Sequence, residues 1–168
     1  GSPDDALVEA LKYGEEIGRL PTVLRKDVET VWIHKGIKPF GGGNNNLLIH
    51  TGQAADYINE GILEETFVHE AAHTSLDSSH AYSNGWISAQ NSDCNFISNY
   101  AKDYPQREDI AESFLPWLAV KYRSARISKG LKDTILQTIP YRIEYFDNQS
   151  FDMYPVNISS VLNDNVYR

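Results

Sequence analysis

The stretch FVHEAAHTSLDSSH, residues 67–80, carries three histidines and two acidic residues in fourteen positions. His69 and His73 stand four apart with Glu70 between them, an HExxH pattern. Together with the residues before it, EGILEETFVHEAAHTSL (60–76) reads as a helix. On a helical wheel Leu63, Phe67 and Ala71 form one apolar row, and Val68, Ala72 and Leu76 form the next. His69 and His73 lie together just past that edge, one turn apart on one face. Two imidazoles placed this way can converge on one zinc ion. Glu70 points to the side of the pair, where it can take a proton from a metal-bound water. An HExxH also arises by chance on open surface helices. Here apolar residues surround most of the helix, so the histidine pair is not expected on an open face. A short extended run, LLIHTG (47–52), stands upstream, suited to holding an extended peptide.

A catalytic zinc takes three protein ligands and keeps one position for water. His80 is the near candidate for the third. In the metzincin pattern HExxHxxGxxH the last histidine stands six after the second, where this chain has Ser79. The turning glycine of that pattern is Leu76 here. Both diagnostic positions depart, so His80 reads as a solvent-facing loop histidine. Asp77 reads as a hydrogen-bond partner of nearby backbone or of a ligand histidine. The far candidate is REDIAESF, residues 107–114. Glu108 and Glu112 stack one turn apart on a helix face that Ala111, Leu115 and Ala119 continue, so that face is expected to be buried. Buried carboxylates need partners. A zinc ion for one and a zinc-bound histidine for the other would satisfy both. The plainer alternative is a solvated rim, or a pairing with Arg107 or Lys121.

The remaining sequence sets the frame. Hydrophobic residues make up 41% and charged residues 23% of 168, which suits one domain spanning 1–168 with its own core. The net charge of −8 argues against nucleic acid or anionic membrane surfaces as partners. No apolar run approaches the length of a membrane span. The single cysteine, Cys94, excludes an internal disulfide and a Cys-rich zinc knuckle. The start GSP resembles an expression remnant, which leaves open that the domain was cut from a longer protein. A helix is predicted over Asp4–Gly18, then a strand in VETVWIHKG (28–36), a loop in IKPFGGGNNN (37–46) and the short strand LLIHTG. After the HExxH helix, further helices are predicted over 86–103, 106–125 and 129–139. A kink is expected at Pro116 and a stop near Pro140. The polar tail from 148 shows strand-like pieces without a clear period. A small early sheet followed by mostly helices makes the class α+β. PFGGGNNN lacks the Lys-Ser/Thr and helix of a phosphate loop and reads as a mobile loop beside the substrate strand. His34 and His50 read as structural histidines; Trp86, Phe96, Phe114 and Trp117 read as core. Asn148 and Asn157 each begin a glycosylation sequon.

HExxH followed on a later helix by ExxxE resembles the gluzincin class of zinc peptidases. YAKDYPQREDIAESF (100–114) is similar to the Y…E-x-x-A-E-x-F segment of the anthrax lethal factor-like zincins and the Pro-Pro endopeptidases. IPYRIEYFD (139–147) also looks like the tails of some bacterial relatives. The main resemblance runs from about Leu47 to Lys121. It implies a zincin-like catalytic domain that hydrolyses peptide bonds in a protein or peptide substrate. By the same resemblance His69, His73 and Glu108 would bind Zn2+, Glu112 would orient a ligand histidine, and a tyrosine would assist the oxyanion. In the family that tyrosine stands seven before the ligand glutamate. That position is Ala101 here, and Tyr100 is one further back. Tyr100 is the preferred candidate, with Tyr104 and Tyr82 as alternatives. The substrate is expected to lie extended near Leu47–Thr51. Secretion to the cell exterior is expected from the family, the acidic polar composition and the lack of cysteine pairs. The rival expectation is a metal-stabilised binding or adhesion module on the same scaffold, and the intact Glu70 counts against it. A non-peptide hydrolase using the same metal is a third.

Overall fold

The computed structural model describes residues 2–156. The chain opens with helix α1 (Pro3–Arg19), started by a reciprocal cap between Ser2 and Asp5 with Pro3 in the first turn. It ends where Leu20 turns extended ahead of Pro21. The short helix α2 (Thr22–Arg25) leads to strands β1 (Thr30–His34), β2 (Gly41–Gly43) and β3 (Asn46–His50). Helices α3 (Thr51–Glu60) and α4 (Leu63–His80) follow, then α5 (Asn84–Asp93), α6 (Asn99–Asp103), α7 (Asp109–Tyr122), α8 (Lys129–Thr138) and α9 (Pro140–Asp147). A single turn of 3-10 helix, Ser124–Arg126, joins α7 to α8. The architecture is α+β: among the described residues two helices precede the small sheet and the remaining helices follow it. No helix among the described residues is long and apolar enough to cross a membrane.

The sheet has the order β1-β3-β2. β1 runs parallel to β3, with Thr30 opposite Asn46 and His34 opposite His50. β2 runs antiparallel to β3 through a two-residue turn, with Gly43 opposite Asn46. Asn44 and Asn45 hold that turn at φ 50° and 57°, the left-handed region that asparagine tolerates best among residues with a side chain. The run read as a loop, IKPFGGGNNN, therefore contains an edge strand. Three glycines offer no alternating side chains to signal a strand, and only pairing with β3 reveals it.

Three helical boundaries also differ from expectation. LLIHTG is strand only to His50; Thr51 begins α3, a helix that comes before α4 in the chain and is closed by Gly61 at φ 74°. The predicted helix over 86–103 is broken where Cys94 turns left-handed at φ 56°. Its two halves start from separate serine caps, Ser83 accepting from the Trp86 N–H and Ser98 from the Ala101 N–H. Pro140 stops α8 and also serves as the first residue of α9, a further helix beyond the stop expected there. α7 begins at Asp109 and runs as one helix through Pro116. From Gln149 to Val156 no strand forms. The Asn157 sequon lies outside the described residues.

α4 is the central element. Phe67, Ala71, Ala72 and Leu76 are fully or almost fully buried on it. They belong to one core cluster with Leu47 and Ile49 of β3, Leu24 of α2 and Ile110, Ala111 and Phe114 of α7. Trp86, Phe114 and Trp117 are buried as expected, while Phe96 is only partly so and lies under the Arg142 guanidinium.

Candidate metal centre

Two elements meet at the site. α4 contributes its polar edge, and the start of α7 crosses that edge. On α4 the rings of His69 and His73 stand 4.8 Å apart, nearly perpendicular, with their Nε2 atoms 3.1 Å from each other. Glu108, the residue capping α7, brings Oε2 to 3.1 Å from His73 Nε2 and 3.5 Å from His69 Nε2. The three ligand atoms lie within 4.8 Å of one another, and Glu108 is buried. His73 Nδ1 lies 2.7 Å from Asp77 Oδ2, and His69 Nδ1 lies 3.4 Å from Glu112 Oε1. In the tautomer that places each Nδ1 proton toward its carboxylate, both Nε2 atoms would offer lone pairs. Two lone pairs and a carboxylate oxygen crowded together repel unless a cation or proton sits among them. A metal ion fits that donor set, and no other such group occurs among the described residues.

The titration of these groups follows their surroundings. Burial and the nearby His73 hold His69 below its ordinary value. Burial also opposes protonation of His73, but the Asp77, Glu108 and Glu70 carboxylates outweigh it and the net direction is up. Burial would raise Glu108; Arg107 and the two histidines more than reverse this and hold it low. Glu70 is pushed up to about 7, mainly by burial, with His73 and a hydrogen bond from the Gly42 backbone pulling the other way.

β2 seals this side of the site. A Cβ on Gly42 would lie 1.8 Å from the Glu70 carbonyl oxygen, so only glycine lets the strand approach so near. The Thr74 hydroxyl accepts from the Gly43 N–H at 2.8 Å, and the carbonyls of Asn46 and Glu70 each lie 3.0 Å away to receive its proton. One α4 side chain thus ties both strands of the hairpin to the helix that bears the histidines.

Glu108 is held from behind. Arg107 Nε donates to its Oε1 at 2.7 Å. The pairing with Arg107, read above as an alternative to metal ligation, occurs together with the histidine contacts, one oxygen for each. Lys121 instead pairs with Asp147. The next residue, Asp109, is fully buried and accepts from Arg142 and Gln90, each at 2.8 Å.

The tyrosine candidates separate. The Tyr100 hydroxyl accepts from Arg107 Nη2 at 3.1 Å, and burial and the Glu108 carboxylate push its pKa up. Tyr104 lies beneath the Arg107 guanidinium, 4.6 Å from its ring centre. Tyr82 is largely exposed and lines, with Tyr104 and Arg107, a groove of about 540 Å³. His80 lies outside the ligand group. It occupies the last turn of α4 rather than a loop, partly buried, with Nδ1 2.6 Å from the Tyr145 hydroxyl. His50 Nδ1 faces the Pro39 carbonyl at 3.1 Å, and His34 packs beside its ring. Sequence reasoning missed the roles of Gly42, Arg142 and the Tyr100–Arg107–Glu108 chain. The only local signal for the last was a cation directly beside the buried glutamate. The chain matches no protein-family model, no curated protein and no solved structure.

Proposed function

We propose that this chain is a zinc-dependent endopeptidase with a zincin-like fold, of the HExxH…E gluzincin type. The observation that carries the reading is the meeting of two α4 imidazoles with a carboxylate from α7, thirty-five residues after His73. His69, His73 and Glu108 hold the metal. Asp77 and Glu112 orient the two imidazoles from behind. Zinc held there supplies a Lewis acid that polarises the scissile carbonyl and lowers the pKa of the attacking water. Glu70, one residue after His69 and closed in by β2, takes the proton from that water and passes it to the leaving amine. The Tyr100 hydroxyl, already within the Glu108 network, stabilises the developing oxyanion.

The substrate position differs from the first expectation. β3 is paired on both sides, so a peptide cannot add along Leu47–Thr51. The free edge beside Glu70 belongs to β2; its Gly42 and Gly43 N–H groups already donate to Glu70 and Thr74, so an extended peptide lies along that edge through the remaining backbone carbonyls.

Metal analysis of the purified chain tests the ligands. The wild type and His80→Ala should each carry one zinc, and Glu108→Ala should lose it. Retention by Glu108→Ala with loss from His80→Ala would overturn the ligand set. A peptide-library digest tests the activity: the wild type should cut and Glu70→Gln should not. A zinc-loaded wild type that cuts no peptide would leave the binding module as the better reading.

A further inference from the structure

We infer that Arg107 is a positioning residue that makes Glu108 offer one oxygen, rather than two, to the metal centre; the inference rests on the zinc reading above. A carboxylate can ligate through either or both oxygens, and the protein decides which. Here the two oxygens of Glu108 are divided. Oε2 faces His73 Nε2 at 3.1 Å and His69 Nε2 at 3.5 Å. Oε1 receives the Arg107 Nε proton at 2.7 Å, a charge-assisted contact.

The guanidinium is itself held in place. Its Nη2 donates to the Tyr100 hydroxyl at 3.1 Å, and its Cζ lies 4.6 Å from the Tyr104 ring centre. The backbone adds to this. The N–H groups of Arg107 and Glu108 both donate to the Tyr104 carbonyl, at 3.0 and 2.8 Å, so one tight turn aligns ring, cation and carboxylate. The Arg107 side chain is 63% exposed. An arginine that open would ordinarily sample many rotamers, and these contacts favour one of them. Such a clamp has a chemical consequence. With Oε1 withheld, coordination positions stay open for water and substrate, as a catalytic zinc requires.

X-ray absorption at the zinc edge, on the full chain loaded with zinc, reads the number of oxygen and nitrogen neighbours at roughly 2.1 Å. Visible absorption of the cobalt(II)-substituted chain reads coordination number independently. Arg107→Ala should gain one oxygen neighbour and lose cobalt band intensity relative to the wild type. Arg107→Lys, which restores a cationic donor, should return both readings toward the wild type. Arg107→Met keeps the aliphatic stem over Tyr104 and carries the test if the alanine variant does not fold. A wild type that binds zinc, with the alanine or methionine variant giving the same neighbour count and cobalt spectrum, overturns the role of Arg107 alone. A wild type that binds no zinc overturns the metal reading and this inference with it.

Discussion

Glu70 shares α4 with the two histidines but not their contacts, because β2 encloses it and burial raises its pKa to about 7. An acid whose folded pKa lies above its ordinary value binds its proton more tightly when folded. In the metal-free protein that stability is present below about 4.5 and is lost as pH rises through about 7. Glu70→Gln cannot ionise, so it should escape this loss. Its stability relative to the wild type should rise between pH 4.5 and 7.5, by on the order of 2 kcal/mol. Urea unfolding of the metal-stripped proteins at several pH values measures this, and parallel pH profiles would contradict it. The neighbouring carboxylates show how differently residues become legible. Asp77 stands four after His73 on the same helix, so one turn of backbone brings them together. Glu112 reaches His69 from another helix, and only packing makes that contact.

The contact between α4 and β2 belongs to the scale of elements. It depends on the absence of a side chain at one position. Gly42→Ala would drive a methyl group into the Glu70 carbonyl, and backbone cannot yield as a flexible side chain can. We expect a loss of about 1–3 kcal/mol, seen as a fall of several degrees in Tm, with zinc affinity reduced as the hairpin lifts from α4. Gly41→Ala is the control, since its methyl group would meet Leu48 at 3.6 Å, an ordinary contact. Equal effects at the two positions would refute the argument. The sequence of β2 carries no strand signal of its own. A strand of glycines has no alternation to detect, and its hydrogen-bond partner and the helix below it define it.

Across the whole molecule, a buried ion cluster anchors the start of α7, beside Glu108, to α5 and α9. Arg142 of α9 is fully buried and donates to Asp93 of α5 and Asp109 of α7, each at 2.8 Å, and to the Asn95 carbonyl at 2.9 Å. Asp109 follows Glu108 directly, so this cluster sets where α7 begins and hence where the Glu108 carboxylate lies. Burial pushes the Asp109 pKa up despite the guanidinium, a sign of how much desolvation the cluster bears. Arg142→Met would leave two buried carboxylates without their cation, and should cost about 3–5 kcal/mol of folding stability. Lys121→Met, which breaks the partly exposed pair with Asp147, should cost about 1 kcal/mol or less. Denaturant unfolding of both variants checks the contrast, and similar losses would contradict it.

What the sequence by itself determined is local and periodic. The spacing of His69, Glu70, His73 and Asp77 follows from 3.6 residues per helical turn, as does the alignment of Glu108 with Glu112. The early strands and later helices, and with them the α+β class, came from patterns of the same kind. The sequence did not reveal α3, α9 or the break at Cys94. Short helices and left-handed turns carry weak periodic signals; α3 and α9 start without a side-chain cap, and packing defines them. Nor could spacing show that Oε2 of Glu108 faces the histidines while Oε1 is taken by Arg107. Only the tertiary structure decided that. α4 and α7 are brought together by a shared apolar core, and a buried charge cluster fixes the start of α7 against α5 and α9; those forces act between residues far apart in the chain.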